Sequence, residues 1–152
     1  MNRLLRGAAA GAVATAPMSA LMMGAKRLDL MGGMPPEKIT SRLLGRAGIH
    51  PSETHQDALA TVFHFGFGTA AGAVFGAIAP QRLIARLPLG MAYGTAIWGV
   101  SYMGWVPAFG IMPPAGRDRR DRQMVMLAGH LVYGTALALL VGRRDAGVDV
   151  RP

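Results

Sequence analysis

The chain contains no cysteine, which excludes disulfides, thiolate metal sites and cysteine nucleophiles. Charge is also sparse. Asp, Glu, Lys and Arg make up 16% of its 152 residues, against about 25% in a soluble domain. None of these four residue types falls within the apolar runs 7–25, 58–79, 89–112 and 123–142. Ion-coupled transporters usually carry an acid inside a membrane span, so its absence argues against a secondary pump. Paired carboxylates, a nucleophile–base pair and a phosphate-cradling GxxxxGK[ST] loop are missing as well. No enzyme and no catalytic residue are therefore expected.

What is present is apolar and small. Half of the chain is hydrophobic, the mean hydropathy is +0.30, and there are 21 glycines and 11 methionines. A span needs about 20 mostly apolar residues to cross hydrocarbon about 30 Å thick, and each of the four runs meets that length. Inside lipid the backbone must satisfy its own hydrogen bonds, so the runs should be helices. The first run, preceded by Arg3 and Arg6, also has the outline of a cleaved signal peptide, but its place in a tandem repeat argues that it is a span.

The formal charge is +8. The basic residues sit in short clusters between the uncharged runs, a distribution that fits spans flanked by anionic head groups rather than a nucleic-acid surface. Membrane lipids are the expected partner, with Arg117, Arg119, Arg120 and Arg122 as head-group contacts. The competing reading of 117–122 is a solvated loop whose arginines pair with Asp118 and Asp121.

Two motifs occur twice in the same order. GGMPP (32–36) returns as GIMPP (110–114), and HFGFGTA (64–70) returns as HLVYGTA (130–136). The order span, GxMPP, span with HxxΦGTA is thus stated twice, as two tandem helical hairpins in one orientation. YGTA also recurs at 93–96, with a degraded VATA at 13–16. Proline lacks an N–H and disfavours helix for the residue before it, so GxMPP should stop the odd-numbered span and place Pro in the first turn of the next element.

The first connector is longer than its counterpart. Within 35–48, Ile39, Leu43, Leu44 and Ala47 fall on one side, and Lys38, Arg42 and Arg46 on another. This predicts a short amphipathic helix, either lying in the head-group zone or capping the bundle. Thr54 and Asp57 have capping-box spacing for the next helix start. His50, Glu53, His55 and Asp57 cluster in sequence but match no standard metal spacing, so no metal site is expected.

His64, Gly68, Gly72 and Gly76 recur every four residues, as do His130, Gly134, Ala138 and Gly142. Gly7, Gly11, Thr15 and Ser19 form a third stripe, and Gly90 and Gly94 begin a fourth. Such stripes of small residues let helix backbones approach closely and point away from lipid. At 1.5 Å per residue the two histidines lie roughly 10 Å below one membrane face. Ser19 and Trp105 reach a similar level, with Ser101 and Tyr102 somewhat deeper. Three readings of this polar layer compete. The histidines hydrogen-bond between helices, they sense or relay protons, or they ligate haem between the second and fourth spans, since Gly66, Gly68 and Gly134 leave room for a flat macrocycle. A small channel or transporter is a further functional alternative. Pro17 and Pro107 are candidate kinks.

The string WGVSYMGWVPAFGIMPPAGRDRR, with HFGFGTAAGAVFGAI before it and MLAGHLVYGTALALL after, resembles the YagU-like group of uncharacterised bacterial inner-membrane proteins. GAVATAPMSALM and PPEKIT fit the same likeness. The resemblance implies a multi-pass inner-membrane protein of unknown activity associated with acid tolerance, and it supplies no catalytic residues. The expected fold is an all-α membrane protein of four transmembrane helices in one domain, with a surface helix at 35–48. Its glycine stripes also make self-association a possibility to test. The basic residues do not orient it. Arg3, Arg6, Arg82, Arg86, Arg143, Arg144 and Arg151 lie on one side. Lys26, Arg27, Lys38, Arg42, Arg46, Arg117, Arg119, Arg120 and Arg122 lie on the other, seven against nine.

Overall fold

In the computed structural model, which describes residues 2–142, the chain is helical with no strand among the described residues. Helix α1 spans Arg3–Arg27, α2 Pro35–Arg46, α3 Glu53–Ile78, α4 Leu83–Ala108 and α5 Arg120–Val141. A 3₁₀ turn, Ala115–Arg117, precedes α5. The flanking arginines Arg143, Arg144 and Arg151 lie outside the described residues.

Helices α1, α3, α4 and α5 are long and apolar enough to cross a membrane. Their outward faces carry large apolar side chains, including Val13, Val62, Val74, Met91, Val100 and Leu139, all at least 43% exposed. Such a surface would be a liability in water and is the expected one against acyl chains. Helix α4 ends at Ala108, short of the expected 112. Each helix starts a few residues before its uncharged run, because polar residues outside the hydrocarbon still continue the helical hydrogen-bond ladder. Helix α3 is one case. It starts at Glu53 with Ser52 as its N-cap, so Thr54 and Asp57 lie inside its first turns rather than forming a capping box. Ser52 instead bonds the His55 ring at 2.7 Å.

The interior is built on two glycine crossings. Along α1 and α3, Gly7 and Gly11 face Gly68, Gly72 and Gly76; a Cβ on Gly11 would stand 2.8 Å from the Gly72 Cα. Along α4 and α5, Gly90 and Gly94 face His130 and Gly134; a Cβ on Gly94 would stand 3.0 Å from the His130 carbonyl carbon. The two hairpins share a register, since Gly11 abuts the Gly68 carbonyl and Gly90 the equivalent Gly134 carbonyl. With no hydrophobic drive between helices in lipid, this close backbone packing supplies the attraction. Helices α1 and α5 also pack together, which puts α3 and α4 on the flanks of a central pair.

Both GxMPP copies turn the chain the same way. Gly32 and Gly110 take positive φ of 67° and 62°, and Met34 and Met112 are buried. The first copy then starts α2 with prolines in its first turn and Glu37 accepting from the Met34 N–H at 3.1 Å. Helix α2 crosses the end of the bundle. Lys26 pairs with Glu37 at 3.0 Å, Arg42 donates to the Gly110 carbonyl at 2.8 Å, and Arg46 donates to the Phe109 carbonyl at 3.0 Å. One side of α2 thus covers the bundle end, while its outer face, with Leu43 half exposed, looks outward.

Two arginines correct the reading of flanking charge. Arg122 is not a head-group contact: it is 8% exposed, donates from Nε to the Met31 carbonyl at 2.7 Å, and pairs with Asp118 at 3.3 Å. It clamps the first GxMPP turn to the start of α5. Arg86 is 6% exposed and donates to the carbonyls of Ala138 at 2.6 Å and Gln81 at 2.9 Å, tying the opposite end of the bundle. Carbonyls at helix ends and turns lack intrahelical partners, and a five-donor guanidinium reaches several at once. Arg117, Arg119 and Arg120 remain exposed, with Arg119 also donating to the Asp29 carbonyl.

Candidate functional site: a histidine-lined cavity

A cavity of about 240 Å³ lies in the half of the bundle nearest α2. Its existence follows from the arrangement of the flanking helices. Deeper in the bundle α3 and α4 meet, where the Phe75 and Tyr93 rings stand 5.3 Å apart and the Tyr93 hydroxyl donates to the Ala71 carbonyl at 2.8 Å. Towards α2 they part and leave a cleft. Thr15, Met18 and Met22 of α1 and Met126 and Tyr133 of α5 form the floor; Pro35, Ile39 and Thr40 of α2 form the roof. On the α3 side Phe63 and Phe67, each about half exposed, bound the mouth.

The wall contributed by α4 is irregular. Residues Val100–Trp105 make a π-helical turn, and Ser101, Tyr102 and Trp105 from this turn face the cavity. Two residues on, Pro107 has no N–H to give the Met103 carbonyl, and its ring crowds that carbonyl. A wider turn relieves both problems. The expectation of a kink at Pro107 thus takes the form of a π turn, while α1 runs on through Pro17.

His64 and His130, the matched residues of the two HxxΦGTA motifs, both line this cavity with Trp105, Ser101 and Tyr102. Ser19 stands behind His64, its Oγ 3.3 Å from Nδ1, and does not itself line the space. The His130 Nδ1 lies 2.8 Å from the Met126 carbonyl oxygen. A carbonyl only accepts, so Nδ1 carries the proton and the neutral ring presents Nε2 as a bare acceptor. Trp105 donates to Ser101 within its own helix at 3.3 Å. Tyr102 donates to Asp118 at 2.8 Å, joining the cavity to the Asp118–Arg122 pair beneath α2. Beside that pair on α2, burial and then the Arg122 charge hold the Lys38 ammonium below its ordinary value, against the opposite pull of Asp118 and Glu37.

Three further residues shape this site. Tyr133 donates to the Gly68 carbonyl at 2.7 Å across the cavity floor; the signal was the hydroxyl gained at the Φ position of the second HxxΦGTA. Thr40 Oγ1 and Trp98 Nε1 are buried polar atoms without a hydrogen-bond partner, and both residues line the cavity. Thr40 sits alone in a polar connector and gave no signal. No residue of the lining is Asp, Glu, Lys or Arg. Among the described residues no three metal-ligating side chains gather.

The chain matches, over residues 1–149, a family of unknown function, DUF6789, and it belongs to that family. Comparison with curated proteins and with solved structures returned no match.

Proposed function

We propose that this member of DUF6789 is a non-enzymatic, multi-pass protein of a bacterial inner membrane, in which the His64 and His130 pair answers to protonation and contributes to acid or envelope tolerance. The observation that carries this reading is that two imidazoles from equivalent repeat positions open onto one cavity without a charged residue in its lining. A proton on either ring introduces a charge with no counter-ion at hand, in surroundings where an unpaired charge is costly. The groups facing the pair are Ser19 from α1, Tyr102 and Trp105 from α4 and Tyr133 from α5; the nearest acid, Asp118, is already held by Tyr102 and Arg122. Charging the rings favours water entry and separation of α3 from α4, which meet deeper in the bundle at Phe75 and Tyr93. The likeness to YagU-like proteins points to the same membrane and the same stress.

The test replaces His64 and His130 with Gln, singly and together, at matched membrane levels. Reduced survival at low pH is expected. Survival equal to that of the unaltered protein removes the histidines from the mechanism. A second reading, haem held between the two rings, draws on the open Nε2 atoms from facing helices. It needs α3 and α4 to part further, because the cavity is sized for one or two small rings. Protein purified from haem-replete cells without a Soret band disposes of it.

A further inference from the structure

We infer that the cavity is a binding site for a neutral, hydroxylated aromatic molecule of one or two rings, of the phenol or quinol class, that enters sideways from the bilayer. This inference does not rest on the protonation reading; it stands on the shape and chemistry of the lining. Size comes first. An apolar cavity of about 150 Å³ takes up benzene, so about 240 Å³ accommodates one or two rings. Next is shape. Phe63 and Phe67 on one side and Trp98 and Trp105 on the other make aromatic walls, which favour stacked or edge-on contacts with a flat ring.

Charge narrows the class. The lining holds no ionisable group other than imidazole and phenol, and the adjacent Asp118 and Arg122 already satisfy each other and the Met31 carbonyl. A charged head group, including a phospholipid phosphate, would sit unpaired. The hydrogen-bonding pattern then calls for a hydroxyl. The His130 Nε2 is an acceptor by virtue of the Nδ1 bond to Met126, so the ligand must bring a donor. Thr40 Oγ1 and Trp98 Nε1, though unpartnered, are enclosed by their own neighbours and make no demand on the ligand. A hydroxyl supplies the donor that His130 calls for; a hydrocarbon does not. Finally, the mouth lies between α3 and α4 at the half-exposed Phe63 and Phe67, on faces that meet lipid in a spanning bundle. A membrane-dissolved molecule would reach the site without passing through water.

The experiment uses the full chain in detergent micelles and two probes, 1-naphthol and 1-methylnaphthalene, which share a ring system and differ by hydroxyl against methyl. Both tryptophans of the chain line the cavity, so intrinsic fluorescence reports occupancy and calorimetry gives affinity. The expected result is saturable one-to-one binding of 1-naphthol, about tenfold tighter than 1-methylnaphthalene, the worth of one well-made hydrogen bond. His130→Phe keeps a ring and removes the acceptor; it should bring the two probes within about twofold of each other. Ala60→Phe, which fills the cavity from α3, should abolish saturable binding of both. Equal affinity for the two probes in the unaltered protein overturns the hydroxyl assignment. Non-saturating uptake that persists in Ala60→Phe is partition into the micelle and overturns the site. A bis-imidazole Soret band on adding haemin, with 1-naphthol unable to compete, assigns the space to a porphyrin and overturns the inference.

Discussion

Helix α3 contains its own controlled experiment on what holds the bundle together. A Cβ at Gly72 would lie 2.5 Å from the Gly11 Cα and 2.8 Å from the Gly11 nitrogen, both backbone atoms that no rotamer change can remove. The Gly7 carbonyl oxygen is closer still, and ordinary contact begins at 3.4 Å, so α1 and α3 must separate by about 1 Å to admit one methyl group. A gap of 0.5–1 Å forfeits roughly a quarter to a half of each dispersion contact, and overpacking of this kind costs about 1–3 kcal/mol. Gly66, six positions earlier on the same helix, has nothing within 4 Å of the corresponding Cβ. Alanine gains about 1 kcal/mol of helix propensity over glycine at either site, so that gain cancels in the comparison. Gly72→Ala should therefore be about 1–3 kcal/mol less stable than Gly66→Ala, and Gly66→Ala no worse than the unaltered protein. The assay is helicity followed through titration from mild detergent into SDS. Equal midpoints for the two variants would refute the claim that close backbone packing at this crossing drives association of the first hairpin.

Substitutions at four other sites test the turns, the clamp and one interhelical bond by the same titration. Arg122→Met leaves the Asp118 carboxylate, with a side chain only 4% exposed, without its cation; a loss of about 3–5 kcal/mol is expected, partly restored by Arg122→Lys, which keeps the charge but not the guanidinium fork. Gly110→Ala should cost about 1–2 kcal/mol for its positive φ alone, whereas Gly32→Ala should cost more, since its Cβ also meets the Arg122 guanidinium at 2.8 Å; an equal cost would show that the clamp yields freely. Tyr133→Phe removes the bond to the Gly68 carbonyl and should cost about 1 kcal/mol, while an unchanged midpoint would mean that this bond contributes nothing in the bilayer-like phase.

The elements were legible because their signals are local. Uncharged runs at 58–79 and 123–142 announce helices whatever packs beside them, and Gly-x-Met-Pro-Pro stops a helix through proline's own geometry. The four-residue stripes could be recognised as packing faces. Other features depend on neighbours distant in sequence and left no trace. Arg122 and Arg86 look like any flanking arginine until the carbonyls of Met31 and Ala138 arrive beside them. The π turn at Val100–Trp105 needs Pro107, but other helices pass a proline with a kink or, as α1 does at Pro17, without changing type. Thr40 becomes part of a cavity roof only because α2 folds back across the bundle end.

The amino-acid order alone determined an all-helical chain with four segments able to cross a membrane, a doubled hairpin plan and two imidazoles at equivalent repeat positions. Hydropathy, proline placement and residue spacing act within a turn or two, so they can be read without knowing the fold. Which stripe meets which, that α3 and α4 part near α2 to leave a cavity, and that two arginines turn inward were decided by tertiary structure. Those outcomes depend on sub-ångström fit between backbones and on carbonyls supplied from about 50 to 90 residues away, and no local pattern encodes them.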